Sequence, residues 1–151
     1  AYRYIEWKAV FLIAGMLPLG VALESTGAAA MVAEKTVAIF GPFGPYGILF
    51  GLLAITFAAT SIIPTAALVV LMVPIALQTA TNLSISPYPL MMGIAMAASS
   101  SFTSPISHPA NVLVMGPGGY RFMDYIKVGV PLTLLIFTLL MIFIPLFWPL
   151  Q

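Results

Sequence analysis

Two short polar stretches interrupt an apolar sequence, and their side chains are of types that bind small ions. The first is TSIIPT, Thr60–Thr65, and the second is TSPISHPAN, Thr103–Asn111. No Asp, Glu, Lys or Arg occurs between Lys35 and Arg121, so neither stretch carries a charged carboxylate, ammonium or guanidinium group. Hydroxyl and carbonyl oxygens can hold a dehydrated Na⁺, and free backbone N–H groups suit an anion. The pattern therefore indicates ion binding.

Prolines break the second stretch. Pro105 lacks an N–H and disfavours helix at Ser104, and Pro109 acts in the same way on the residue before it. We predict two half-helices, 90–101 and 110–115, joined by an unwound segment whose free carbonyls can bind Na⁺. The start of the second half-helix presents N–H groups and a positive dipole end, which suit an anion. The alternative is an ordinary proline-kinked helix, since proline is common in transmembrane helices.

The side-chain ligands that the second stretch offers are hydroxyl and amide groups. They belong to Thr103, Ser104, Ser107 and Asn111. His108, the only histidine of the chain, lies among them. It can relay protons or contact an anion. The alternative is a neutral imidazole held by hydrogen bonds within the broken helix.

The composition is that of a membrane protein. Charged residues are 6% of the chain, against about 25% in soluble domains, and apolar residues are 62%. The absence of cysteine excludes disulfides and thiolate metal sites. No basic patch indicates nucleic acid, and no Ser–His–Asp or zinc arrangement indicates an enzyme. We expect no cofactor, and no metal other than Na⁺ as a coupling ion.

Hydropathy divides the chain into five membrane-associated segments. We predict a transmembrane helix at 9–23, an interfacial helix at 28–40, a hairpin at 44–80, a broken transmembrane helix at 88–118 and a transmembrane helix at 128–148. The hairpin arms, Tyr46–Ala59 and Ala66–Thr79, would each be about 21 Å long, shorter than the ~30 Å hydrocarbon core. Two short arms that meet at a polar tip favour a re-entrant hairpin. Two tilted crossings joined by an ordinary turn are the alternative.

The positive charges predict the orientation. Arg3, Lys8, Arg121 and Lys127 fall on one side of this arrangement, and only Lys35 falls on the other. The positive-inside rule then places the Arg121–Lys127 loop in the cytoplasm and the C-terminus outside, in an inner or plasma membrane. The chain begins at Ala1 without a methionine, so we expect it to be the later half of a longer protein.

The second polar stretch also carries a family resemblance. The pattern is Ala98-Ser99-x-x-Phe102-x-x-Pro105-Ile106-Ser107-x-x-x-Asn111-x-Leu113-Val114. It resembles the signature of the divalent anion:sodium symporters (DASS), which are secondary transporters of sulfate and of di- and tricarboxylates. GMLPLGVALESTGAA and GPGGYRFMDYIKVGVPL agree with the same family, the latter with its bacterial permease branch. Nearly the whole chain is similar to the second, C-terminal repeat of such transporters.

The resemblance implies an all-α membrane protein, half of an inverted-repeat transporter with a re-entrant helical hairpin and a discontinuous helix. It implies sodium-coupled uptake of small divalent anions by alternating access. The implied partners are the N-terminal half of the same transporter, the lipid bilayer, the anion and a second copy in a homodimer. The implied substrate-binding residues are Ser61, Thr65, Ser107 and Asn111. The implied sodium-binding residues are Thr60, Ser61, Thr103, Ser104 and Pro105.

Two positions of the hairpin tip depart from the family pattern, Ile62 and Pro64, and Pro64 stands where a small residue is expected. Ile62 stands at the hairpin tip where these symporters carry Asn, and a hydrocarbon side chain cannot bind Na⁺ or an anion. Two rival interpretations are therefore kept. The first is a related permease that moves arsenite or exchanges protons through His108. The second is a membrane subunit that has lost transport.

Overall fold

The computed structural model describes residues 14–15, 18, 21–22, 25–61, 63, 65–105, 108, 111 and 114–150. The predicted helix at 9–23 lies mostly outside the described residues, as do Ile62 and Ser107. Within these ranges the regular structure is entirely helical, with no strand. The prediction of an all-α protein is confirmed for this part of the chain.

Prolines and glycines define the first two helices. Helix α1, Ala28–Phe40, follows Gly27, whose φ of 74° suits a residue without a side chain. A 3₁₀ turn, Gly41–Phe43, leads into helix α2, Gly44–Thr60, which has a proline in its first turn. The ring of Phe40 packs against Gly51 and lies 6.1 Å from the ring of Phe50. The chain therefore bends at the turn between α1 and α2.

Three further helices complete the described fold. Helix α3 spans Thr65–Leu83, helix α4 spans Pro87–Ser99 and helix α5 spans Phe122–Phe147. Their 19, 13 and 26 residues correspond to lengths of about 28, 20 and 39 Å at 1.5 Å per residue. Helix α2, with 17 residues, is about 26 Å long. The arms α2 and α3 are therefore longer than the predicted 21 Å and approach the thickness of the hydrocarbon core.

Helix α4 lies at the centre of the fold. It packs against α2, α3 and α5. At Gly93 a side chain would meet Leu49 and Leu53 of α2 and Ile144 of α5, each at 3.2 Å. Leu90, Ile94, Ala97 and Ala98 on α4 are fully buried. The core therefore forms where α4 packs against its neighbours.

Helix α5 lies at the edge of the described fold. Only three of its residues are buried, Gly129, Leu140 and Ile144. Large apolar side chains along its other faces are exposed, including Leu134, Leu135, Ile142 and Phe143. Helix α5 and the bent stretch Ala28–Thr60 are both long and apolar enough to cross a membrane. Such an apolar surface is typical of a membrane protein.

Candidate ion-binding site

Helix α4 ends directly before the second polar stretch. Ser100 leaves the helix with φ −94° and ψ 47°, and its N–H still donates to the carbonyl of Ala97 at 3.1 Å. The described residues from Ser100 to Pro105 are not helical. We call Ser100–Pro105 the unwound segment. Its carbonyl groups are released from the helical ladder and can take other partners.

The Asn111 side chain binds the unwound segment. Its Nδ2 donates to the carbonyl oxygens of Ser101 at 3.0 Å and Ser104 at 3.2 Å. Both acceptors are carbonyl oxygens, so the nitrogen of the amide must face them and the orientation of the side chain is fixed. The amide N–H groups are thus directed at the segment, and the remaining acceptor is Oδ1. In this conformation the amide group of Asn111 holds the unwound segment in place.

The tip between α2 and α3 meets the unwound segment. Ser61 Oγ and Thr103 Oγ1 share a hydrogen bond of 2.9 Å, although 42 positions separate the two residues. Beside this pair, Thr65 Oγ1 donates to the carbonyl of Ala98 near the end of α4 at 3.1 Å. The two polar stretches of the sequence therefore lie in contact, with hydroxyl groups at the contact.

The other predicted ligands are sequence neighbours of Ser61 or Thr103, and their solvent exposure differs. Thr60 is buried, and its hydroxyl donates to the Phe57 carbonyl of its own helix at 2.7 Å. Ser104 and Pro105 are buried in the unwound segment. His108 is exposed, and its carbonyl accepts the N–H of Asn111 at 3.0 Å. The position of Ser107 lies outside the described residues.

Sequence reasoning missed three residues that contact this region or belong to it. Ser101 is 3% exposed, and its Oγ has no hydrogen-bond partner among the described residues. Tyr125 donates from its hydroxyl to the carbonyl of Asn111 at 2.8 Å. Gly129 lies directly against the backbone of Phe102 and Thr103. The three consecutive serines at 99–101 could have indicated Ser101. No local sequence pattern distinguished Tyr125 or Gly129 of α5 from their neighbours.

A cavity of about 330 Å³ lies beside the contact between the unwound segment and α5. Phe102 and Asn111 line one side, and Asp124, Tyr125 and Gly129 line the other. Asp124 accepts the backbone N–H of Arg121 at 2.8 Å, which caps the start of α5. A carboxylate in its wall makes this cavity unfavourable for an anion.

The chemistry that this arrangement offers is binding by neutral oxygen atoms. Hydroxyl and carbonyl oxygens gather at the meeting of the tip and the unwound segment, and the described residues contain no cluster of His, Cys, Asp or Glu that would hold a multivalent metal. Oxygen ligands without a carboxylate suit a monovalent cation. A bound cation would in turn make the site attractive to an anion.

Comparison with known proteins defines the class. The model of a family described as citrate transporters matches residues 1–88, which include the tip of the hairpin. An uncharacterized transporter of Escherichia coli, YfbS, is 42% identical over 149 residues, covering 99% of this chain and 24% of that protein. Sodium/sulfate cotransporter 1 of Chlamydomonas reinhardtii is 30% identical over 130 residues, 85% of this chain and 15% of its own length. The names of this family and of these relatives are those of transporters and not of enzymes.

The family follows from the same matches. The chain belongs to the citrate transporter family, and its sequence also matches a second uncharacterized transporter, from Synechocystis, at 42% identity over 135 residues. That match covers 89% of this chain and 22% of the relative. The predicted membership of a DASS-type permease family is confirmed. The chain spans about a quarter or less of the length of these three relatives.

Proposed function

We propose that the full-length protein uses a Na⁺ gradient to take up a small divalent anion, such as sulfate or a di- or tricarboxylate. The present chain would supply one half of the binding site. The observation that carries this proposal is the hydrogen bond between Ser61 and Thr103, which joins the tip of the α2–α3 hairpin to the unwound segment. Relatives named sodium/sulfate cotransporters in Chlamydomonas reinhardtii support sodium and sulfate as the first ions to test.

The architecture we propose is an inverted repeat with its partner half in the same polypeptide. Helices α2 and α3 form a re-entrant hairpin whose tip lies inside the protein. In support, the tip contacts the unwound segment, which packs against Gly129 in the charge-free part of α5. Irregular backbone at membrane depth must be buried in protein or line a wet cavity. A second copy would complete a homodimer in the inner or plasma membrane.

The mechanism begins with the cations. Na⁺ is bound by hydroxyls of Thr60, Ser61 and Thr103 and by oxygens of Ser104 and Pro105 in the unwound segment. Its charge then attracts the dianion, which binds near Ser61, Thr65, Ser107 and Asn111. At least two Na⁺ are needed to offset a dianion, and the partner half supplies a second set of ligands. The loaded unit then moves against the scaffold and releases its cargo on the other side.

Uptake by the purified full-length transporter in proteoliposomes tests the proposal. Radiolabelled sulfate, succinate and citrate are offered with an inward Na⁺ gradient, or with choline in place of Na⁺. We expect Na⁺-dependent uptake of at least one anion, and a fall of about tenfold in Ser61→Ala and Asn111→Ala, because a lost polar ligand costs about 1–3 kcal/mol. Ser25→Ala is the matched control, since the Ser25 hydroxyl is exposed and bonds only within its own turn.

Each outcome separates this proposal from its rivals. Uptake that follows a pH gradient and ignores Na⁺ would favour the proton-coupled permease and would make His108 the next target. No uptake of any of the three anions, together with uptake of arsenite, would favour the arsenite permease. Uptake that neither Ser61→Ala nor Asn111→Ala alters would show that these residues are not in the binding site.

Ile62 favours a second candidate function, a membrane subunit that has lost transport because its hairpin tip no longer binds Na⁺; uptake that appears only after Asn is restored at this position would identify it. Its hydrocarbon side chain replaces the amide that related symporters carry at this position. Ile62→Asn in the full-length protein separates the two cases. A lower Na⁺ concentration for half-maximal uptake in this variant would show that the natural tip is weakened, and an unchanged value would show that Ser61 and backbone groups suffice.

A further inference from the structure

We infer that Tyr125 and Gly129 of α5 are positioning residues that hold the unwound segment at the distance from the hairpin tip that ion binding requires. The consequence for transport rests on the function proposed above, but the positioning itself does not. The two residues are four positions apart on one helix, and residues with this spacing lie on the same helical face. That face of α5 contacts both ends of the region that contains the site.

Gly129 sets how closely α5 approaches the unwound segment. A Cβ atom at this position would overlap the carbonyl oxygen of Phe102 and would lie 2.6 Å from its carbonyl carbon. It would also lie 2.8 Å from the Cα of Thr103. These are backbone atoms, so no change of side-chain rotamer can relieve the overlap. Any side chain at position 129 must therefore move either α5 or the segment that bears Thr103.

Tyr125 holds the far end of the same region. Its hydroxyl donates to the carbonyl of Asn111 at 2.8 Å, and the Asn111 side chain in turn donates to the carbonyls of Ser101 and Ser104. Thr103, between these two acceptors, binds Ser61 of the tip. A continuous series of contacts thus runs from α5 through Asn111 and the unwound segment to the hairpin.

The consequence for function is specific. Phe102 directly precedes Thr103, so a displacement at Gly129 is transmitted to the hydroxyl pair formed by Thr103 and Ser61. Neither Tyr125 nor Gly129 offers a ligand to the ion in this arrangement. We therefore expect their substitution to change the concentration of Na⁺ needed for uptake, because the spacing of the ligands changes, more than it changes the amount of folded transporter.

Cross-linking measures the spacing without any transport assay. Ser61→Cys and Thr103→Cys are introduced together into the full-length protein, from which other cysteines are removed; this chain has none. Copper phenanthroline oxidises the pair in membranes, and maleimide–polyethylene glycol reports the thiols that remain. We expect Gly129→Ala to slow the oxidation about tenfold or more, since a sub-van der Waals backbone overlap must be relieved by displacement. Gly116→Ala is the control, because a Cβ there has no atom within 4 Å.

Tyr125→Phe is the milder second variant, because it removes one hydroxyl and keeps the ring. We expect it to slow cross-linking and to raise the Na⁺ concentration for half-maximal sulfate uptake about three- to tenfold, with a smaller change in maximal rate. Tyr88→Phe is its control, since Tyr88 is 69% exposed at the start of α4. A purely structural role would instead lower the yield and the maximal rate together.

Two results would overturn the inference. One is an oxidation rate in Gly129→Ala equal to the rate in Gly116→Ala and in the protein that carries only Ser61→Cys and Thr103→Cys. The other is Tyr125→Phe with both its cross-linking rate and its Na⁺ dependence unchanged. If the parent protein transports none of the tested anions, the proposed function fails, and the cross-linking rates still decide whether α5 positions the segment.

Discussion

At the scale of single residues, three neighbouring serines differ in what their hydroxyls contact. Ser99 Oγ donates to the carbonyl of Ala95 and Ser100 Oγ to that of Met96, both at 2.8 Å, in the usual manner of serine within a helix. Ser101 Oγ is buried and has no such partner among the residues that the structure describes. An unpaired buried hydroxyl costs about 1–3 kcal/mol, so its retention calls for a partner that binds there. We propose Na⁺ at the unwound segment as that partner, which would add Ser101 to the sodium ligands named above.

Ser101→Ala tests whether the Ser101 hydroxyl binds Na⁺ or only fills space in the protein. Removal of an unpaired hydroxyl should leave the thermal stability of the Na⁺-free transporter unchanged or raised, because a desolvated polar group is lost. If the hydroxyl binds Na⁺, the same variant should need about tenfold more Na⁺ for half-maximal uptake. Ser99→Ala provides the comparison, since that hydroxyl bonds to its own helix. Equal Na⁺ dependence in the two variants would exclude Ser101 as a ligand.

At the scale of the helices, the position of the site depends on how α4 is packed. Gly93 allows α4 to approach α2 and α5 so closely that a Cβ would touch three side chains at 3.2 Å. The C-terminal end of α4 bears Ala98, whose carbonyl accepts the hydroxyl of Thr65 at the start of α3. The site is therefore fixed by the helix that precedes the break, in addition to α5.

We expect Gly93→Leu to destabilise the protein. The added side chain would meet Leu49, Leu53 and Ile144 in a filled core, and overpacking of this kind costs about 1–3 kcal/mol. The effect is measured as the melting temperature of the detergent-solubilised transporter. This temperature is obtained from the amount of protein that stays monodisperse after heating. Gly116→Leu, at a position with open space, should melt close to the parent. Similar melting of the two variants would mean that α4 does not pack as described.

Local sequence patterns predicted the elements better than their contacts. Pro45 and Pro87 fall in the first turns of α2 and α4, and the polar stretch with Pro105 follows the end of α4, because proline restricts the backbone around it. The lengths of α2 and α3 were underestimated, because α2 spans Gly44–Thr60 and α3 continues through the polar residues Gln78, Thr79, Thr81 and Asn82 to Leu83. The polar residues that follow Leu77 had led us to end the second hairpin arm at Thr79.

Contacts between distant residues were beyond the reach of these patterns. The hydrogen bond between Ser61 and Thr103 joins the hairpin tip to the unwound segment. The sequence identified each of these segments separately, but hydrophobic periodicity does not predict that two loops are in contact. Gly129 looks like any glycine of a transmembrane helix until the backbone of Phe102 is seen against it. Such pairings depend on how helices pack, which a single sequence does not specify.

At the scale of the whole molecule, α4 and α5 run in opposite directions. Gly129, near the start of α5, lies against Phe102 just after α4, whereas Ile144, near the end of α5, meets Gly93 within α4. The Arg121–Lys127 region therefore lies at one end of the fold, and the turn Ser84–Ser86 lies at the other. Gly129 is only about 10 Å along α5 from Phe122, so the unwound segment lies nearer the positively charged end.

This arrangement predicts which surfaces face the cytoplasm. The positive-inside rule places Arg121 and Lys127 in the cytoplasm, and the α3–α4 turn must then face outside. In a full-length protein freed of other cysteines, Asn82→Cys should react with a membrane-impermeant maleimide on intact cells. Tyr120→Cys, also exposed, should react only after the membrane is permeabilised. The opposite labelling would invert the orientation and place the site nearer the outside, and labelling of both positions on intact cells would contradict a membrane crossing by α4 and the segment that follows it.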